Sequence, residues 1–232
     1  KKDLNDLGIK FLSCEDNFLN AETSKSLILI SPDSERTMCT FLDASVSLSI
    51  KNFDQSIFKN NSILYLEGYL FDKNETKQAM IDLCNIARNK GSLICLSLSD
   101  SFCVERHRND LLSLIKNHVD ILFGNDQEIN VLLNGQKKEE VNSIVEIAVV
   151  TSGPRGANIF KANDRIFIPP IDGLNVVDTT GAGDLFAAGF LFGFSKTLNL
   201  DDCGKLATQA ASHIIQQYGA RPEESLSKFV IS

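Results

Sequence analysis

Apolar and polar residues alternate along this chain in two rhythms. At residues 73–90 the apolar side chains Ala79, Met80, Leu83, Ile86 and Ala87 fall on one side at helical spacing, and Gly91 follows where a left-handed C-terminal cap belongs. Short, mainly apolar runs at 63–66, 93–98, 119–123 and 147–150 predict buried strands. Between them, 105–117 predicts a helix with Leu111, Leu112, Leu114 and Ile115 inward, and 126–133 a further helix closed by Asn134-Gly135. Strand and helix in regular alternation, with mainly apolar strands, point to a parallel sheet covered on both faces.

The ends of the chain depart from that rhythm. Residues 26–31 and 36–42 predict a strand and its return, punctuated by Pro32-Asp33. Residues 158–160 and 165–168 predict an antiparallel hairpin turning at Asn163-Asp164, and 183–194 and 201–218 predict two closing helices. The charged stretch 136–146 is read as one short helix or as a gap in the chain. No repeat, low-complexity segment or linker divides the sequence, so 1–232 is expected to be one domain. The fold class expected is α/β: a three-layer sandwich with a mainly parallel central sheet and a few edge strands near the N-terminus.

Composition narrows the function. The 232 residues are 43% hydrophobic and 23% charged, as in an ordinary globular protein. A net charge of -7 argues against nucleic acid as the main partner, because phosphate backbones want a basic surface. No apolar run approaches the length of a membrane span, and the polar opening Lys-Lys-Asp-Leu-Asn-Asp-Leu is not a signal peptide. Six cysteines without a C-x-x-C pair are expected to be buried or partly buried free thiols in a reducing, cytoplasmic compartment.

The chemistry concentrates in 176–193, VVDTTGAGDLFAAGFLFG. The glycines of Gly181-Ala182-Gly183 free the backbone and keep side chains out of the way, just where an apolar helix begins. The first amides of that helix lack partners and point outward, and the helix dipole favours negative charge there, which builds an anion hole from N–H groups. Asp184, in the first turn, can accept a proton from a hydroxyl beside that hole. Taken alone, such a G-x-G-D is more often a glycine-rich turn with an acidic first turn. A dinucleotide fingerprint fails because Phe186 stands where its third glycine belongs, and no G-K-[ST] of a phosphate-binding loop occurs.

The longer run D-T-T-G-A-G-D, followed by an apolar helix rich in Gly and Ala, resembles the C-terminal signature of the ribokinase (PfkB) family of carbohydrate and nucleoside kinases. The resemblance implies that Asp184 is the catalytic base and that the amides of Gly181, Ala182 and Gly183 form the anion hole. It implies ATP as co-substrate and Mg²⁺ as cofactor. Asn125 and Glu128 match the family's N-x-x-E, which helps place magnesium and the ATP phosphates, largely through water; in isolation the pair reads as a helix cap. Thr151, Gly153 and Gly156 match the T-x-G-x-x-G nucleotide loop, which otherwise reads as a strand-to-hairpin turn. In cation-dependent members Asp178 and Thr180, with the C-terminal loop, hold a monovalent cation such as K⁺; here Glu223 stands where small hydroxylated residues are common, which counts against that site.

The resemblance runs from about residue 31 to 222 and leans toward adenosine kinases through VDILFGN at 119–125 and LSLSDSF at 96–102. The second segment makes Phe102 either a stacking platform for a nucleoside base or a core residue. Arg36 either approaches the transferred phosphate or forms a surface ion pair. Members usually begin with a further stretch carrying the first strands, a G-G-x-x-x-N segment and much of a lid through which they often dimerise; no such segment is found here. The expected function is transfer of the γ-phosphoryl of MgATP to a primary hydroxyl of a nucleoside. A ribokinase- or fructokinase-like sugar kinase and a non-catalytic nucleotide-binding protein on the same fold are the alternatives.

Overall fold

The computed structural model describes residues 2–12, 22–31, 36–42, 44–48, 50 and 53–229. A short helix α1 (Lys2–Asp6) precedes an antiparallel pair, β1 (Lys25–Ile30) and β2 (Arg36–Phe41), which forms a sheet of its own with Lys25 opposite Phe41 and Ile30 opposite Arg36. The alternating part of the chain follows: β3 (Ile63–Glu67), α2 (Asn74–Asn89), β4 (Leu93–Ser97), α3 (Ser101–His118), β5 (Ile121–Asn125), α4 (Asp126–Leu132) and β6 (Ile147–Thr151). Then come the hairpin β7 (Ala157–Lys161) and β8 (Asp164–Ile168), and the helices α5 (Ala182–Ser195) and α6 (Leu200–Ile214).

The six strands β3 to β8 stand in the sheet in chain order. β3 to β6 are parallel, and β7 and β8 are antiparallel to their neighbours. Right-handed crossovers that always step the same way put every crossover helix on one face. That face holds one core: Leu66, Leu96, Leu122 and Val150 from the strands against Met80 and Leu83 of α2, Leu111 and Ile115 of α3, and Ile129 of α4. The alternate strand residues Ile121, Phe123, Ile147, Val149 and Ile159 form the second core with Phe186 and Phe190 of α5 and Cys203 and Ala207 of α6. The expected three-layer α/β sandwich with its separate edge strands is thus observed.

Element ends differ from the sequence-based expectation for local reasons. α3 starts four residues early because Asp100 caps it, its side chain accepting from the Cys103 amide at 2.6 Å. The charged stretch is continuous chain with a 3-10 turn at Lys138–Ser143. The last helix ends at Ile214 and not at Tyr218. Cys84, Cys95, Cys103 and Cys203 are buried free thiols as expected, whereas Cys39 is exposed and Cys14 lies outside the described residues.

Candidate active site

The parallel strands bring their C-terminal ends to one edge, where open α/β sheets place ligands. Glu67 of β3 sits opposite Ser97 of β4, and Asn125 of β5 sits directly opposite Thr151 of β6. The register therefore sets the two sequence-predicted nucleotide residues side by side. Glu67 is half-buried and accepts a hydrogen bond from the Ser99 hydroxyl at 2.8 Å. Burial pushes its carboxyl above the ordinary range against that hydrogen bond, and the negative charge of Asp184 adds to the push. A carboxyl raised by burial and a like charge is a mark of functional sites.

The opening of α5 faces this edge. The buried Asp178 carboxylate accepts from the Thr180 amide at 2.8 Å and the Thr180 hydroxyl at 2.6 Å through one oxygen, and from the Gly219 amide at 2.8 Å through the other. The Val177 and Asp178 amides in turn donate to the carbonyl of Ile215. The segment before α5 is thereby fastened to the segment after α6. Asp178 and Thr180 thus act as a tether. Asp178→Ala would leave three donors without this acceptor, two of them on buried Thr180, and should lower stability by about 3 kcal/mol, or roughly 6–12 °C in melting temperature for a chain of this size. A calorimetric scan checks this.

Two glycines at the helix start are present for different reasons. Gly181 has φ of +80°, and a Cβ there would stand 2.9 Å from Ala220. Its lack of a side chain is a requirement of the fold. Gly183 has no such excuse: it is helical, and a Cβ would meet no atom within 4 Å. The open space in front of its amide is what close approach of a ligand needs. Asp184 follows, exposed in the first turn.

Across the site, Asn125 caps α4. Its side-chain oxygen accepts from the Glu128 amide at 2.9 Å, while its own amide and Nδ2 donate to the two Glu128 oxygens at 2.9 and 2.7 Å. The capping box and the N-x-x-E motif are one and the same object. Burial pushes the Glu128 carboxyl up, the Asn125 amide pulls it back, and the charges of Asp100 and Glu67 push it up again. Among the described residues no group of three or more His, Cys, Asp or Glu side chains could hold a metal ion. One carboxylate and one amide suit Mg²⁺, an ion that keeps several waters and takes other oxygens from substrate phosphates; a closed protein cage would need more.

After Thr151 the chain turns through Gly153, with φ of +56° and open space beside it, and Gly156, with φ of +85° and the Ile168 carbonyl 2.3 Å from where a Cβ would be. Gly156 is fixed by packing and Gly153 leaves room for a ligand. The geometry brings together 181–184, 67, 125–128 and 151–156 along one edge.

Comparison with known proteins decides the family. Residues 1–226 match the description pfkB family carbohydrate kinase. The chain belongs to the PfkB family. Among solved structures, an adenosine kinase from Sinorhizobium meliloti superposes with a TM-score of 0.93 at 35% identity, over 98% of this chain and 71% of that one. A probable sugar kinase from Rhizobium etli gives 0.92 at 38% identity, over 98% and 70%. An uncharacterised sugar kinase of Archaeoglobus fulgidus is 36% identical over 121 residues, 50% of this chain and 48% of that protein. The matched stretch thus spans about half the length of this curated relative.

Two further PfkB-family expectations meet the structure differently. Phe102 is 70% exposed in the first turn of α3, so the core alternative is wrong and its ring is open to a partner. Tyr69, 40% exposed, reaches toward the same turn, its hydroxyl donating to the Ser99 carbonyl at 3.4 Å. The backbone of Arg36 pairs with Ile30 in the separate sheet, and its side chain lies outside the described residues. Glu67 was not singled out from sequence. Its signal was available, since an acid ends the apolar strand ILYL just before Gly68, at the strand end that faces a ligand edge.

Proposed function

We propose that this PfkB-family chain transfers the γ-phosphoryl group of MgATP to a primary hydroxyl of a nucleoside, adenosine being the best fit. The observation that carries the reading is the open helix start at Gly183-Asp184, within reach of the charge on Glu67 and across from the paired strand ends Asn125 and Thr151. Asp184 accepts the proton of the attacking hydroxyl. The amides of Gly181 and Gly183 stabilise the charge that builds on the transferring oxygens. The Ala182 amide, expected as a third donor, instead donates to the Thr179 carbonyl at 3.2 Å and closes the turn before α5. Thr151, Gly153 and Gly156 cradle the nucleotide. Asn125 and Glu128 would hold magnesium through its waters, and the ion supplies neutralisation of phosphate charge. Asp178 and Thr180 act as a tether and carry no potassium in this reading.

The nucleoside preference rests on the exposed ring of Phe102, whose π-face suits a planar base. A sugar acceptor is the second reading, favoured by the likeness to the Rhizobium etli and Archaeoglobus fulgidus proteins. An ADP-release assay with MgATP against adenosine, cytidine, ribose and fructose separates the two. Adenosine is expected to show the highest kcat/KM. Turnover of ribose or fructose with inert nucleosides would move the site to the sugar kinases. No ADP release from any of the four acceptors would overturn this reading.

A further inference from the structure

We propose that Asp126 is a positioning residue for the nucleotide, locking the turn after β6 against the start of α4. The inference rests on the phosphotransfer reading above. Asp126 is the first residue of α4, yet the helix does not need it for capping, because Asn125 and Glu128 already close that end. Its oxygens are turned to other segments instead. One receives the ammonium of Lys138, from the turn that follows α4, and the other receives Arg155 Nη2 at 2.9 Å.

Arg155 belongs to the turn that holds Gly153 and Gly156. That turn closes on itself through backbone bonds: Ser152 N to the Gly156 carbonyl at 2.8 Å, Arg155 N to that of Ser152 at 3.2 Å and Gly156 N to that of Gly153 at 3.1 Å. These bonds fix its shape and sheet pairing holds its ends at Thr151 and Ala157, while Arg155 near its tip is held by a side chain from outside the turn. Asp126 supplies that second constraint, across the β5–β6 strand ends where Asn125 and Thr151 are already paired. Burial pushes the Asp126 carboxyl up, but hydrogen bonds with Lys138, Ser152 and Arg155 outweigh it and hold the group below the usual carboxylate range.

Arg155 is 74% exposed on its side chain, so the ion pair contributes little to global stability. Loss of the constraint therefore acts on ligand geometry more than on folding. A misplaced binding turn weakens every phosphate contact it makes, while the residues proposed for the acceptor, Phe102 in α3 and Asp184 in α5, are untouched.

The test uses the full chain with Asp126→Ala, Asp126→Glu, Arg155→Ala and the double variant. MgATP binding is measured by calorimetry, and KM for ATP and for the acceptor are measured separately. Asp126→Ala and Arg155→Ala are each expected to raise the MgATP Kd and KM about tenfold. The acceptor KM should stay within about twofold, and the melting temperature within about 3 °C of the parent. The double variant should resemble either single one, and Asp126→Glu should recover part of the affinity. Unchanged MgATP affinity in Asp126→Ala, an equal rise in the acceptor KM, or additive losses in the double variant would overturn the inference alone. A parent chain that binds no MgATP would overturn the phosphotransfer reading, and this inference with it.

Discussion

Asp184→Asn is expected to reduce turnover by roughly 10²- to 10⁴-fold while leaving MgATP affinity near that of the parent. Asn keeps the size and the hydrogen-bonding reach of the carboxylate and loses its ability to take a proton. Asp184 is exposed in the first turn of a helix whose start is held by the Asp178 tether, so the exchange has no packing to disturb. The helix loses one acid from its positive end, a small effect. The lost rate should therefore appear in kcat, with the KM for ATP nearly constant. Steady-state kinetics with calorimetric MgATP binding on the same preparation checks both halves. Turnover retained within tenfold would remove Asp184 from the role of base.

Gly183→Ala should move activity and stability in opposite directions. Glycine inside a helix costs stability relative to alanine, by up to about 1 kcal/mol and less near an end. The space around Gly183 accepts a Cβ without contact within 4 Å, so the variant should melt at the same temperature or slightly higher. The new methyl group would stand beside the Gly183 amide, proposed above to face the transferring phosphoryl oxygens. Disabling one donor of such a hole costs on the order of 10²- to 10³-fold in kcat. Gly181→Ala is the contrast, since its φ of +80° and the 2.9 Å approach of Ala220 make it unfavourable for the fold itself. Parent-like turnover in Gly183→Ala would show that no ligand comes close to that amide.

The fold was legible because its strands are buried on both faces. Runs such as 93–96 and 147–150 carry no polar position, which fits a parallel sheet covered on both faces. The motifs were legible because they sit at element junctions, where glycines and caps have few other uses. What escaped was set by partners distant in sequence. Residues 215–218 continue the helical pattern of α6, but the Ile215 carbonyl accepts from the Val177 and Asp178 amides, and that pairing ends the helix at Ile214. Glu67 has no motif of its own; it becomes conspicuous once β3 lies beside β4 and the charge of Asp184 reaches it. The two readings of Phe102 stayed open because Asp100 was not read as a cap; in the helix that starts at Ser101 the ring is exposed.

The chain-order sheet also allows assembly to follow synthesis. Strands β3 to β6 can join one after another as they emerge, each with its own helix already packed on one face. Asn125 and Thr151 are then neighbours before α5 exists. Until α5 and α6 arrive, Phe123 and Val149 have no helix over them. Asp184 comes with those same helices, and the tether from Asp178 to Gly219 closes only once residue 219 has been made. The paired strand ends Asn125 and Thr151 can therefore form well before Asp184 is brought to them by the closing of the second core.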